Sequence, residues 1–170
     1  DLMQSFGGRI SWRNYGSEKT KAYEINISLF AALRGTVDGR DDHTINRVIC
    51  VHAIMAALEG IPAFYIHSLL ATPNDETNAR ALGNNRAINR HVWDSVELDR
   101  LIEDPDSDTA KVLCGLTEML SIRKHQPAFH PNATQYTLHL GSGLFAFWRQ
   151  SRSRHQSIFC IHNITNQIKT

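Results

Sequence analysis

The sequence predicts an α/β fold on three observations: an apolar stretch with no polar face, a helical pattern on each side of it, and a later switch to strand periodicity. The apolar stretch is Gly60-Ile-Pro-Ala-Phe-Tyr-Ile-His-Ser-Leu-Leu-Ala71. Apolar side chains on both faces belong to a sheet that is covered on both sides, so it reads as one buried parallel strand. Thr44 to Glu59 is helical in pattern and stops at Gly60, with Pro62 forbidding continuation; Asp108 to His125 is a second helical run stopped by Pro127. A strand between two helices is the unit of a barrel or a doubly wound domain. One parallel strand makes no sheet, so its partners are expected on chain outside these 170 residues.

The other elements follow in order. Asp1 to Phe6 reads as the end of a helix, with Gly7-Gly8 as its terminator. Gly8 to Tyr23 is loop-like, and Trp12, Arg13, Asn14 and Tyr15 give it the composition of a binding loop. Tyr23 to Phe30 alternates and leads into a short helical turn, and Gly35 to Asp42 is a polar turn whose acids favour the dipole of the next helix. In that helix Ile45, Val48, Ile49, Met55 and Leu58 form the core face, and His52 is read as a packed residue. Thr72 to Arg90 is a long polar segment directly after the strand. Loops in that position carry the functional face of a barrel.

Val92 to Glu103 is a short amphipathic helix, and Asp104 to Asp108 a linker in which Ser107 or Asp108 caps the following helix. From Pro127 the period becomes two. Ala133 to Leu140, Leu144 to Gln150 and Gln156 to Asn163 are strands joined by Gly141-Ser-Gly143 and by Ser151 to His155, the start of an antiparallel β domain.

Composition narrows the function. Hydrophobic residues at 42%, charged residues at 21% and a net charge of +1 describe an ordinary globular chain. They give no electrostatic case for nucleic acid or an anionic membrane, since Arg149, Arg152 and Arg154 read as a solvated turn. Cys50, Cys114 and Cys160 are widely spaced with no Cys-x-x-Cys, which fits a reducing cytoplasm. The start at Asp1 and the end directly after a strand-like run read as a piece of a longer protein.

The residues exclude several chemistries. No glycine loop has phosphate-cradling spacing, no two of the nine His share ligand spacing on one element, and no Gly-x-Ser-x-Gly elbow is present. Neither a metal nor a cofactor is therefore expected. Cys50 and Cys114 fall on helix faces expected to be buried. Paired carboxylates remain, yet the one strand end offers His67-Ser68 and no acid. Glu24, Asp75 and Glu76 lie where loops could reach a site, and Arg90 after Asn89 has the planar fork that holds a sugar hydroxyl or a carboxylate.

Three stretches carry a resemblance: Tyr23-Glu-Ile-Asn-Ile-Ser28, Ala57 through Gly60-Ile-Pro to Thr72-Pro-Asn-Asp75, and Asn84-Asn-Arg-Ala-Ile-Asn-Arg-His91. Together the sequence resembles the sucrose-phosphorylase branch of the α-amylase superfamily, glycoside hydrolase family 13, nearer to its glucosylglycerate phosphorylases. The resemblance implies that Gly60 to Ala71 is the last strand of a (β/α)8 barrel. Residues 1–127 would then be the C-terminal part of the catalytic barrel and residues 128–170 the start of a C-terminal β domain.

It also implies a retaining transfer of glucose from an α-glucoside to inorganic phosphate by three carboxylates that precede Asp1. No catalytic residue is expected in this chain, which alone should be inactive without the missing N-terminal barrel segment. Substrate contacts are implied for Arg90 and Asn89 beside the glucosyl unit and for Tyr23 and Glu24 at the acceptor and phosphate site. Glu24 departs from the Gln of the sucrose phosphorylases, and a carboxylate there would repel phosphate, so Arg13 is the candidate counter-charge. The alternatives are a non-catalytic sugar-binding remnant and a family 13 hydrolase or transglucosidase.

Overall fold

The computed structural model describes residues 1–14, 16 and 20–169. Helix α1 (Leu2–Ser5) ends at Phe6, and Gly7 follows at φ +91° as the expected terminator. Strands β1 (Arg9–Asn14) and β2 (Thr20–Asn26) pair antiparallel with a register shift between Ser11 and Trp12. This corrects the loop expected over Gly8 to Tyr23. Ile10, Trp12, Tyr23 and Ile25 are strand formers, and the polar residues between them mark an exposed hairpin rather than irregular chain. Tyr15 lies outside the described residues.

Helix α2 (Leu29–Ala32) is capped by Ser28, whose hydroxyl accepts from the Ala31 N–H at 3.1 Å. A two-residue turn joins β3 (Gly35–Thr36) to β4 (Gly39–Arg40). A Cβ at Gly35 would lie 2.1 Å from the Gly39 carbonyl oxygen, so only glycine fits there. Helix α3 (Thr44–Ala57) follows, preceded by Asp41, which pairs with Arg47 and accepts from the His43 N–H at 2.8 Å.

The buried strand expected over Gly60 to Ala71 is not formed. Residues 61–65 belong to no helix and pair with no strand among the described residues, and helix α4 (Ile66–Leu69) occupies the second half. Ile61, Tyr65 and Ile66 are exposed, whereas Leu70, Ala71 and Thr72 are buried. A strand owes its hydrogen bonds to neighbours, and without them the local turn preference of Ile66 to Leu69 decides. A strand–helix unit of a barrel is accordingly not observed among the described residues.

The loop expected over Thr72 to Arg90 is also corrected. It contains helix α5 (Glu76–Ala81), capped by Asp75, and a 3-10 turn at Asn85–Asn89. Ala79, Ala87 and Ile88 form a small buried cluster that holds the two together. Helix α6 (Ser95–Glu103) is capped by Asp94, and helix α7 (Asp108–Arg123) by the Ser107 hydroxyl, which accepts from the Ala110 N–H at 2.9 Å. A 3-10 turn at Pro127–Phe129 precedes strands β5 (Thr134–Leu138), β6 (Leu144–Gln150) and β7 (Ser157–Asn163). They form one antiparallel sheet in chain order, close to the expected bounds.

The chain divides into two compact units, Asp1–Val48 with Phe64–Cys114, and Ile49–Ala63 with Gly115–Thr170. The first holds the β1–β2 hairpin, α5 and the Asn85–Asn89 turn. In the second, Ala57, Phe147 and Cys160 form the core with Leu58, Phe129 and Ile158 packed against them. Arg149 is fully buried there, correcting the solvated cluster expected at Arg149, Arg152 and Arg154. The period of two on β6 places it on the same face as Phe147. Its guanidinium donates to the carbonyls of Ala57 at 2.7 Å, His130 at 2.9 Å and Ala133 at 3.4 Å. Arg152 and Arg154 remain exposed. His52 is buried as expected, while Cys114 is exposed and Cys50 half-buried, so the thiol expected inside at Cys114 is not.

Candidate functional site

The first unit carries a cleft of about 340 Å³ lined by Glu24, Ile25, Asn26, Ile27, Tyr65, Arg86, Asn89 and Arg90. One wall is β2 and the chain that follows it. This wall is fixed from below by Asn26, whose buried side-chain amide donates to the Ser11 hydroxyl at 2.9 Å, and by Ser28, whose N–H donates to the Asn74 side chain at 2.8 Å. Buried amides that spend their hydrogen bonds on the backbone around them make a rigid wall.

The opposite wall is the Asn85–Asn89 turn. Asn84 starts it, accepting from the Arg86 N–H at 3.0 Å. The Asn85 side chain then donates to the Ser11 hydroxyl at 3.1 Å and the Ile10 carbonyl at 3.4 Å, which ties the turn to the hairpin. Three contacts hold its end. The Tyr65 hydroxyl donates to the Asn89 carbonyl at 2.7 Å, and the Asn78 side chain donates to the carbonyls of Ala87 and Arg90 at 3.4 Å. His91, the next residue, meets the Asp75 carboxylate at 2.7 Å. Asp75 therefore caps α5 through the Asn78 N–H at 2.8 Å and anchors the end of the turn with its other oxygen. Burial pushes the Asp75 carboxyl up, and the Asn78 N–H together with His91 outweighs it, so the group stays ionised below the usual carboxylate range.

Electrostatics in the cleft centre on Glu24. Arg86 Nε donates to its carboxylate at 2.9 Å. The hydrogen bond to Glu24, with the attraction of its charge and a smaller effect of Tyr23, holds the Arg86 guanidinium above its ordinary pKa. Arg90 has no ion-pair partner among the described residues. The charged groups lining the cleft are thus one acid and two bases, with the acid already paired. Such a wall can hold polar or anionic groups by hydrogen bonds, but its single carboxylate leaves no second acid for proton transfer across a bond.

Of the residues singled out from sequence, Glu24, Asn89 and Arg90 come together on this cleft. Tyr23 stands beside it, and Arg13 stacks on the Tyr23 ring with its guanidinium carbon 4.7 Å from the centroid. The counter-charge of Glu24 is consequently Arg86, not Arg13. Asp75 and Glu76 support rather than line the cleft, Glu76 accepting from Arg9 at 2.5 Å. Tyr65 and Arg86 were not singled out from sequence. Tyr65 sat in what read as a buried strand, whereas Arg86 lies in Asn84 to His91 and could have been found as the only other cation in that stretch besides Arg90.

No protein-family model matches the chain. Individual relatives do. The chain is 37% identical over 133 residues to the glucosylglycerate phosphorylase of Allomeiothermus silvanus, covering 78% of this chain and 24% of that protein. To the glucosylglycerate phosphorylase of Escherichia coli it is 33% identical over 78% of this chain and 23% of that one. The enzyme of that name from Spirochaeta thermophila matches 98% of this chain and 28% of itself at 29% identity. The chain thus spans about a quarter of the length of these curated relatives. Its fold is shared with the crystal structure of sucrose 6F-phosphate phosphorylase from Thermoanaerobacter thermosaccharolyticum, with a TM-score of 0.73 over 94% of this chain, 30% of that chain and 20% identity.

Proposed function

The chain belongs to the glucosylglycerate and sucrose phosphorylase family, in family 13 of the glycoside hydrolases, and from that membership we propose that it supplies the acceptor-side wall of a retaining α-glucosyl phosphorylase. The substrates are an α-glucoside and inorganic phosphate, the products α-glucose 1-phosphate and the released acceptor. One carboxylate attacks the anomeric carbon while a carboxylic acid protonates the leaving oxygen; a phosphate oxygen then displaces the carboxylate with the same face restored. In this reading these acids and the third carboxylate are supplied by a barrel segment outside these 170 residues, and the expectation is that the 170 residues alone do not turn over. No cofactor takes part.

Within the chain, Arg90 and Asn89 hold the glucosyl unit, and Tyr23 and Glu24 face the acceptor and phosphate. Arg13 keeps the Tyr23 ring in place by stacking on it. Residues 1–127 belong to the catalytic barrel and 128–170 begin the C-terminal β domain, where the antiparallel sheet starts at Thr134. Three free thiols support a reducing cytoplasm. Among the described residues no helix is long and apolar enough to cross a membrane.

The observation that carries the reading is the cleft itself, which joins Glu24, Asn89 and Arg90 in a chain 37% identical to a glucosylglycerate phosphorylase. The test is turnover by the natural polypeptide that contains this chain, with glucosylglycerate or sucrose and with or without phosphate. Phosphate-dependent formation of α-glucose 1-phosphate, faster from glucosylglycerate, is expected. Release of free glucose at a rate independent of phosphate would make it a hydrolase, and no turnover under any condition a binding protein.

A further inference from the structure

Arg86 lies on the Asn85–Asn89 turn and Arg90 caps its end, and both line one cleft that contains a single carboxylate, Glu24. Only Arg86 engages that carboxylate, through Nε at 2.9 Å. Glu24 is a third exposed and Arg86 about half exposed, at 33% and 51% of their side chains, so neither is buried structural chemistry. An isolated surface ion pair of this kind contributes little to stability. Its consequence for the charge of the cleft is larger. Unpaired, Glu24 would be free to attract the Arg90 guanidinium, and the acid and the base would cancel where the ligand enters.

We infer that Arg86 is a positioning residue that neutralises Glu24, so that the charge of Arg90, beside the glucosyl unit, gives the cleft a net positive potential toward an anion entering on the Glu24 side. Glu24 in this role does not repel the incoming anion, because its charge is spent on Arg86. Tyr23 supports the arrangement, its hydroxyl favouring the charged guanidinium while Arg13 stacks on its ring. The inference rests on the proposed reading of the cleft as the acceptor and phosphate site.

The test is the affinity of the natural polypeptide for inorganic phosphate, measured by calorimetry on the wild type, R86Q, E24Q and the double variant E24Q/R86Q. R86Q is expected to weaken phosphate binding by about tenfold, the size of one unpaired charge acting over a few ångströms of partly hydrated protein. E24Q/R86Q is expected to recover most of that loss, with the R86Q deficit shrinking as salt is raised. Because both side chains are exposed, thermal midpoints within a few degrees of the wild type accompany these changes. R86Q binding as tightly as the wild type, a double variant as weak as R86Q, or a wild type that binds no phosphate would each overturn the role. Glucose release independent of phosphate, in a polypeptide that still shows the rescue, would overturn the phosphorylase reading and leave this role standing.

Discussion

His67 and His162 illustrate how much a single ring can decide. Burial pushes the His67 pKa below its ordinary value, with the nearby His91 adding to the effect, and burial alone does the same for His162. A group whose pKa is depressed by folding takes up protons more readily unfolded, so the stability it contributes is complete above about pH 6.5 and is lost as pH falls through the folded value. Asp75 adds a second loss at lower pH, below about 4, once its carboxyl protonates. The thermal midpoint should therefore drop between pH 7.5 and 5.5. His162→Phe should flatten the drop: the ring already lies 6.0 Å from Phe147 and its Nε2 has no hydrogen-bond partner among the described residues. A midpoint that is constant or rises toward pH 5.5 would contradict this account.

At the scale of elements, legibility followed the strength of the local signal. The three strands after Pro127 were read nearly to the residue, because alternation there coincides with tight turns. Helix α4 was not read at all. It ends at Leu69 and is closed by Ala71 at φ +50°, with the Thr72 N–H donating to the His67 carbonyl at 2.9 Å and the Ala71 N–H to the Ser68 carbonyl at 3.4 Å. That is the closing pattern of a helix, formed without the glycine that would announce it. A short apolar run fits either a strand or a turn of helix, and only its neighbours decide. The Glu24–Arg86 pair was equally invisible, since residues 62 positions apart share no local pattern.

Arg149 is the element-scale counterpart in the second unit. Its guanidinium and that of Arg123, which donates to the Ala56 carbonyl at 2.5 Å, meet the last carbonyls of α3, where orphan acceptors and the negative end of the helix dipole favour cations. Arg149→Met keeps the volume but removes the charged donor shared by the carbonyls of Ala57, His130 and Ala133, of which His130 retains the Ala133 N–H at 2.9 Å. A loss of about 2–4 kcal/mol in urea unfolding is expected, the range for removing charged hydrogen bonds from a buried site. A loss under about 0.5 kcal/mol, typical of an exposed substitution, would mean the guanidinium contributes little.

At the scale of the whole molecule, the chain spans about a quarter of its relatives' length, and in the proposed reading its part in the reaction is to hold rather than to transform. Holding still acts on rate, because groups that fix the sugar against the reacting acids lower the barrier through position. Arg90 is the residue on which this depends: a guanidinium at the end of a turn pinned by Tyr65, Asn78 and the Asp75–His91 pair. The most direct measurement is kcat/KM for the α-glucoside in the natural polypeptide carrying Arg90→Ala. A fall of about a hundredfold, without a change in thermal midpoint, is predicted for loss of a charged contact to the sugar. Unchanged kcat/KM in a folded variant would show that the cleft is not where the glucosyl unit is held.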